Sequence, residues 1–365
     1  MKGEKKMSGK SARFNFIPQL DLEKEASRWN QVYKVLTEPK PDIKPTQREI
    51  IWKKNKSTLY FHPAKDKKYQ IPIFLVYSLI NKSYILDVGE GSSVVGGLTE
   101  RGYDVYFLDW GSPEYEDSDI TLDDYILNYL ENGVKRALRH SGAEGISLVG
   151  YCLGGTISAI FTSITKLPIV NLVLATVPID FSVGIVPDKW LKGLQQGTID
   201  FNRFSDVYGV IPSEFMYLMF RGLSPVYTSP WINLITRAHD PHYVEKWRRM
   251  DKWTKDTASF AGSAFKQLFN DFYKDNKLLK GELEIGGRKV DLKNIKCPTF
   301  VFSTNRDTLV LEQQSLPIMD MISSEDKTYQ VFEGGHVALA LTGMFAKFAD
   351  QWLSSHSQKI QEEVV

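Results

Sequence analysis

Residues 150–156 read GYCLGGT, with the apolar run Ile146-Ser147-Leu148-Val149 before them and Ile157-Ser158-Ala159-Ile160-Phe161 after. A cysteine between glycines at a strand-to-helix handover has the spacing of a nucleophile elbow, where small neighbours let the backbone close in around a strained turn. Cys152 would then sit at a helix N-terminus, whose exposed N–H groups and dipole favour a thiolate. The pattern alone is weak, because a buried cysteine in such a turn also occurs for packing. A strand before, a helix after and an acid and base downstream would strengthen it, and the chain offers all three.

The acid and base should follow the nucleophile in that order, each on a loop after a later strand. Thr299-Phe300-Val301-Phe302-Ser303 reads as such a strand, and Asp307 lies in the loop behind it. Tyr329-Gln330-Val331-Phe332 is the next strand, followed by Glu333-Gly334-Gly335-His336. Asp307 could instead cap a helix, and Asp180, after the strand at 171–177, is a rival acid. Loop position and chain order favour Asp307. His336 has weaker rivals, since none of His62, His140, His239, His242 and His356 follows a core strand near the C-terminus.

Acyl transfer also needs donors for an oxyanion. One expected donor is the backbone N–H of Leu153. The other should come from just after the strand at 71–76, at Leu79 or Ile80, although the usual histidine-glycine signature is missing there. His239-Asp240-Pro241-His242 reads as a plain loop rather than a zinc site, with no further ligand at suitable spacing. Gly89-Glu90-Gly91-Ser92-Ser93 lacks the endings of phosphate-binding loops, so helix capping by Ser92 or Ser93 is its expected role. Cys297, just ahead of a core strand, reads as structural. Lys82 and Arg306 read as solvated surface charges.

The elements that must hold these residues alternate along the chain. Strands at 71–77, 104–108, 146–149, 171–177 and 299–303 are nearly continuous apolar runs, and helices are expected at 93–101, 122–139 and 156–165. That order implies a mostly parallel α/β sheet with helices on both faces. A further strand is expected at 57–62 and a helix at 22–36, broken off by Pro39, Pro41 and Pro45. The segment 180–294 departs from the alternation and is rich in aromatics, including Phe181, Trp190, Phe204, Tyr227, Trp231 and Trp253. It reads as a cap over the carboxyl edge of the sheet, where open α/β folds place ligands. The expected division is therefore 1–45 as tail and helix, 46–179 with 295–365 as core, and 180–294 as cap.

Composition bounds the rest. The 365 residues are 42% hydrophobic and 24% charged with net charge +1, so no global field points to nucleic acid or an anionic membrane. The two cysteines form no disulfide framework and suit a reducing cytoplasm. The basic start, MKGEKKMSGK, has no apolar signal core behind it, and no stretch approaches bilayer length. That start reads as a solvated tail.

Taken together, "LINKSYILD" (79–87), "RGYDVYFLDWGSPE" (101–114), "LDDYI" (122–126), "GYCLGGT" (150–156), "GELEIGGRKVDLKNIKCP" (281–298), "NRD" (305–307) and "GGHVAL" (334–339) give a chain that resembles the polyhydroxyalkanoate synthases. The resemblance runs through most of the chain from about Glu49. Its length is similar to the two-subunit classes III and IV, and the stretch IIWKKNK (50–56) leans toward class IV.

The resemblance implies an α/β-hydrolase fold with a cap and a catalytic Cys152, Asp307 and His336. It implies (R)-3-hydroxyacyl-CoA substrates, short-chain ones such as 3-hydroxybutyryl-CoA, and a growing polyester held on the cysteine. No metal or organic cofactor is implied, coenzyme A being part of the substrate and a product. Self-association, a second synthase subunit and a place in the cytoplasm at the surface of polyester granules are also implied. Two other readings stay open: a cysteine thioesterase or lactone hydrolase of the same fold, and a non-catalytic granule-associated protein.

Overall fold

The apolar runs become the strands of one eight-stranded sheet. In the computed structural model, which describes residues 21–89, 91–184, 186–223 and 229–360, these strands are β1 (Glu49–Lys54), β2 (Ser57–His62), β3 (Ile73–Val76), β4 (Val105–Asp109), β5 (Ile146–Tyr151), β6 (Ile169–Ala175), β7 (Thr299–Thr304) and β8 (Lys327–Phe332). The basic start at 1–20, Glu90 and Tyr227 lie outside the described residues.

The sheet order is β1-β2-β4-β3-β5-β6-β7-β8. β1 and β2 run antiparallel to their neighbours, and from β4 to β8 every pairing is parallel. Side-chain alternation sorts the strand residues onto two faces. Phe74, Val76, Leu148, Leu172 and Val301 join one buried cluster, while Ile73, Leu75, Val149, Val173 and Phe302 join the other. Helices cover both faces, as the unbroken apolar runs require.

The helices that matter for the site are α1 (Leu22–Thr37), α2 (Val94–Glu100), α3 (Glu131–Ser141), α4 (Leu153–Ile164), α5 (Ser229–Arg237), α6 (Pro241–Lys255), α7 (His336–Leu341) and α8 (Met344–His356). Ser93 caps α2 by accepting the Gly96 N–H at 2.7 Å, the capping role expected for that serine pair. The helix expected at 122–139 runs from Leu122 through a π-helical turn, Tyr125–Leu130, into α3. The edge strand β1 was not expected. Its Glu49, Lys53 and Lys54 dilute the apolar signal, as edge strands commonly do.

Between β6 and β7 the chain leaves the sheet for the aromatic-rich segment. Phe181, Phe260, Phe265, Phe269 and Phe272 pack into the same cluster as one face of the sheet. The last part of the segment returns along the core: Asp123 accepts the Gly286 N–H at 2.7 Å, and Asn294 donates to the Ser163 carbonyl at 3.1 Å. α1 goes the other way. Its Val32 and Val35 pack with Leu234 of α5, Val244 and Trp247 of α6, and Ala238 between them, so the N-terminal helix rests on the inserted segment rather than on the sheet.

Candidate active site

β5 ends at Tyr151 and α4 begins at Leu153, so Cys152 makes the turn by itself, with φ 56° and ψ −133°. A non-glycine residue rarely holds positive φ, and such strain persists where the surroundings over-determine it. They do so here. The Cys152 N–H donates to the Ala175 carbonyl at 3.0 Å, and the Cys152 carbonyl accepts the Gly155 N–H at 2.8 Å.

Two glycines permit the close approach. A Cβ on Gly154 would lie 2.5 Å from the Val76 carbonyl oxygen, and one on Gly150 would lie 2.5 Å from the Gly155 Cα. The helix starts at Leu153, as the elbow spacing expects and three residues before the 156 read from the apolar pattern, because Gly154 serves close packing rather than helix breaking. The thiol is delivered to the N-terminus of α4. There the Leu153 N–H, first in the helix, has no intrahelical acceptor.

The base and acid arrive from two neighbouring strand ends. His336 opens α7 behind β8, Asp307 follows β7, and His336 Nδ1 lies 2.7 Å from Asp307 Oδ2. Asp307 Oδ1 accepts the N–H groups of Leu309 and Val310, each at 2.9 Å, so both carboxylate oxygens are engaged. The two side chains are 8% and 0% exposed respectively. The loops are laced together as well, since Arg306 N–H donates to the Gly334 carbonyl at 2.9 Å and Gly334 N–H to Asn305 Oδ1 at 3.2 Å.

Burial by itself would drive the His336 imidazole toward its neutral form. The adjoining Cys152 and Asp307 outweigh it and push the pKa up to about 10. Cys152, His336 and Asp307 thus form one electrostatically linked group. The rival acid is elsewhere: Asp180 Oδ1 accepts from the Ser182 N–H and hydroxyl, at 2.8 and 2.6 Å, and from Asn276 Nδ2 at 2.8 Å.

The expected oxyanion donors differ in availability. The Ile80 N–H already donates to Ser78 Oγ at 3.2 Å, which counts against it. Leu79 is buried beside the same strand end, and no bond from its N–H occurs among the described residues. The remaining sequence candidates fall outside the site. Asp240 caps α6 through the His242 and Tyr243 N–H groups, so His239-Asp240-Pro241-His242 is a helix entry rather than a plain loop. Burial pushes the Cys297 thiol up to about 11 and leaves it packed against the core. Arg306 pairs with Glu333 on the surface. Among the described residues no cluster of His, Cys, Asp and Glu could hold a metal.

Three residues that the sequence did not mark surround the thiol. Tyr77, Tyr151 and Tyr273 all feel the charge of Cys152, and burial, reinforced by that charge, pushes each phenol up from its usual value. Tyr77 ends the β3 run and Tyr151 stands inside the GYCLGG motif, so both were in plain view without any spacing to assign them a role. Tyr273 comes from the inserted segment, on the π-helical turn Leu268–Lys274, and packs against Phe181 and Phe269 with ring centroids 5.1 and 5.2 Å away. One residue of that segment therefore lies near enough to Cys152 to feel its charge.

Known proteins frame this geometry. The family model for the alpha/beta hydrolase fold matches residues 86–341. The chain is 32% identical to the poly(3-hydroxyalkanoate) polymerase subunit PhaC of Allochromatium vinosum, over 84% of this chain and 86% of that one. It is 34% identical to the subunit of the same name from Synechocystis, over 82% and 80%. The Haloferax mediterranei subunit is also 34% identical over 87% of this chain, which spans about two thirds (66%) of that longer relative. Among solved structures, a monoacylglycerol lipase from Paleococcus ferrophilus superposes with a TM-score of 0.51 at 19% identity, covering 82% of this chain and 99% of the lipase. A Thermogutta terrifontis esterase gives 0.50 at 14%, over 86% and 100%. These two likenesses speak to the fold alone.

Proposed function

Because this chain belongs to the poly(3-hydroxyalkanoate) polymerase subunit PhaC family, within the alpha/beta hydrolase fold, we propose that it polymerises short-chain (R)-3-hydroxyacyl-CoA into polyester through a thioester on Cys152. The observation that carries this reading is the buried Asp307–His336 pair beside a cysteine held on the strained turn.

In the proposed cycle, Cys152 Sγ attacks the thioester carbonyl of the substrate, the carbon–sulfur bond to coenzyme A breaks, and coenzyme A leaves as the thiol with the proton that His336 took from Cys152. The acyl group remains a thioester, so it keeps the activation that it had on coenzyme A. A serine ester would hold it less reactively. In the next step the 3-hydroxyl of an incoming unit gives its proton to His336 and attacks the acyl-cysteine carbonyl, forming the ester bond and releasing Sγ. Backbone N–H groups of Leu153 and Leu79 are the proposed oxyanion donors.

Asp307 is proposed to orient the imidazole rather than to touch the hydroxyl. Its two oxygens are taken by His336 and by the Leu309 and Val310 N–H groups, which supports that division of labour.

A second subunit of the class III or IV type, with class IV favoured by the 50–56 stretch, a self-associated state and a place in the cytoplasm at the granule surface belong to the same proposal. The relatives' designation as subunits supports the partner.

The test is incubation with (R)-3-hydroxybutyryl-CoA, with and without a candidate second subunit, following CoA release and product form. Insoluble polyester with CoA release, lost by at least about a thousandfold in Cys152→Ala and strongly reduced in Cys152→Ser, is the expected result. Free 3-hydroxybutyrate as the only product would replace the polymerase reading with a hydrolase. No release under either condition would leave a granule-associated role.

A further inference from the structure

Tyr151 precedes the proposed nucleophile and is 1% exposed. Its hydroxyl donates to the main-chain carbonyl of His336, and its ring meets the imidazole edge-on, centroids 5.3 Å apart and planes at 74°. Phe345 of α8 and Tyr77 hold the ring from other directions, at 5.5 and 5.6 Å. The contact spans the sheet: β5 and β8 are not neighbours, since β6 and β7 lie between them. Backbone ladders fix adjacent strands, and twist accumulates over each further spacing. Pairing alone therefore sets the separation of the β5 and β8 ends loosely.

His336 is exposed to that looseness. It begins a six-residue helix whose N-cap, Gly335, supplies no side-chain bond. Asp307 fixes the imidazole at Nδ1 but rides on its own loop, laced to the His336 loop, so acid and base can shift together relative to the thiol. The Tyr151 hydroxyl ties that pair to the strand that carries Cys152. Packing does not require it, because phenylalanine would fill the same space.

We propose that Tyr151 is a positioning residue whose hydroxyl, bonded to the His336 carbonyl, sets the spacing between Cys152 and His336. The inference rests on the proposed roles of those two residues. Its experiment reads them separately from polymer synthesis: alkylation of Cys152 by iodoacetamide is followed against pH by mass spectrometry, with the Cys297 peptide as internal control. Turnover of (R)-3-hydroxybutyryl-CoA is measured in parallel.

Tyr151→Phe is expected to fold with a wild-type melting temperature. Its kcat should fall about tenfold or more with KM held within about twofold. Its alkylation midpoint should move by at least about half a pH unit toward that of His336→Gln. Phe345→Leu, which loosens the same ring without removing the hydroxyl, should cost stability and leave the midpoint in place. A Tyr151→Phe midpoint superimposed on wild type overturns the inference. So does an equal shift in Phe345→Leu, which would assign the effect to packing. A wild-type protein that releases no CoA would defeat the polymerase reading instead, while the alkylation curves would still decide the role of Tyr151.

Discussion

Cys152, Asp307 and His336 lie 155 and 29 residues apart in steps along the chain, and each was legible from the type of loop it occupies. Loop position and chain order favoured Asp307 over Asp180 without excluding the rival. Geometry agrees with that preference, because Asp307 faces the imidazole while Asp180 binds Ser182 and Asn276. The charge of Asp307 also has a measurable consequence. The His336 pKa is raised from 6.5 to about 10 against the pull of burial. A raised pKa contributes stability that is fully present below about 6.5 and fades as the pH climbs through about 10. Asp307→Asn removes one of the two charges that hold the proton, so the His336 midpoint should fall and this pH dependence of stability should shrink. Histidine NMR titration and denaturant unfolding at several pH values between those limits would check both. The same variant should lose roughly a hundredfold to ten-thousandfold in kcat, since the imidazole loses its fixed tautomer. A midpoint unchanged from wild type would mean that Asp307 does not act on the imidazole electrostatically.

Among the elements, those with an unbroken apolar run were the readable ones. β3 to β7 are buried on both faces, so composition alone marks them. β1 was hidden because an edge strand carries charges, and the apolar pattern alone began α4 late because glycines usually weaken a helix, although the elbow spacing put a helix N-terminus at Cys152. At Gly154 the missing Cβ has a different purpose. The helix presses against the backbone where β3 ends, at Val76 and Tyr77, the stretch from which the second proposed oxyanion donor would come. Gly154→Ala would place a carbon 2.5 Å from the Val76 oxygen and 2.6 Å from the Tyr77 carbonyl carbon, both backbone atoms that cannot rotate aside. The expected cost is about 1–3 kcal/mol of stability. CoA release should fall by more than the lost folded fraction accounts for, because the proposed oxyanion donors would separate. Unfolding curves and turnover on the same preparations would show whether activity and stability part company.

At the scale of the whole molecule, the sequence signalled an aromatic cap but not which aromatics face the thiol or that α1 rests on it. Those pairings join residues some two hundred positions apart, Val32 and Val35 with Leu234 and Val244, and no local pattern encodes them. In the proposed cycle the expected cap matters because an acyl-cysteine open to water would hydrolyse and end the chain. Tyr273, of the inserted segment, feels the charge of Cys152, is backed by Phe181 and Phe269, and is held within a turn whose Leu268, Phe269 and Phe272 are buried. Removing that ring should admit water without disturbing the Cys152–His336–Asp307 group, because among the described residues none of the hydrogen bonds that hold the acid and base come from the inserted segment. Tyr273→Ala should therefore keep total CoA release within about tenfold of wild type. The share of product recovered as free 3-hydroxybutyrate should rise several-fold at the expense of polyester. Quantifying soluble acid against insoluble polymer from one reaction measures that partition. A reduced rate with an unchanged ratio would mean that Tyr273 holds substrate in place and that other parts of the cap keep the acyl-enzyme dry.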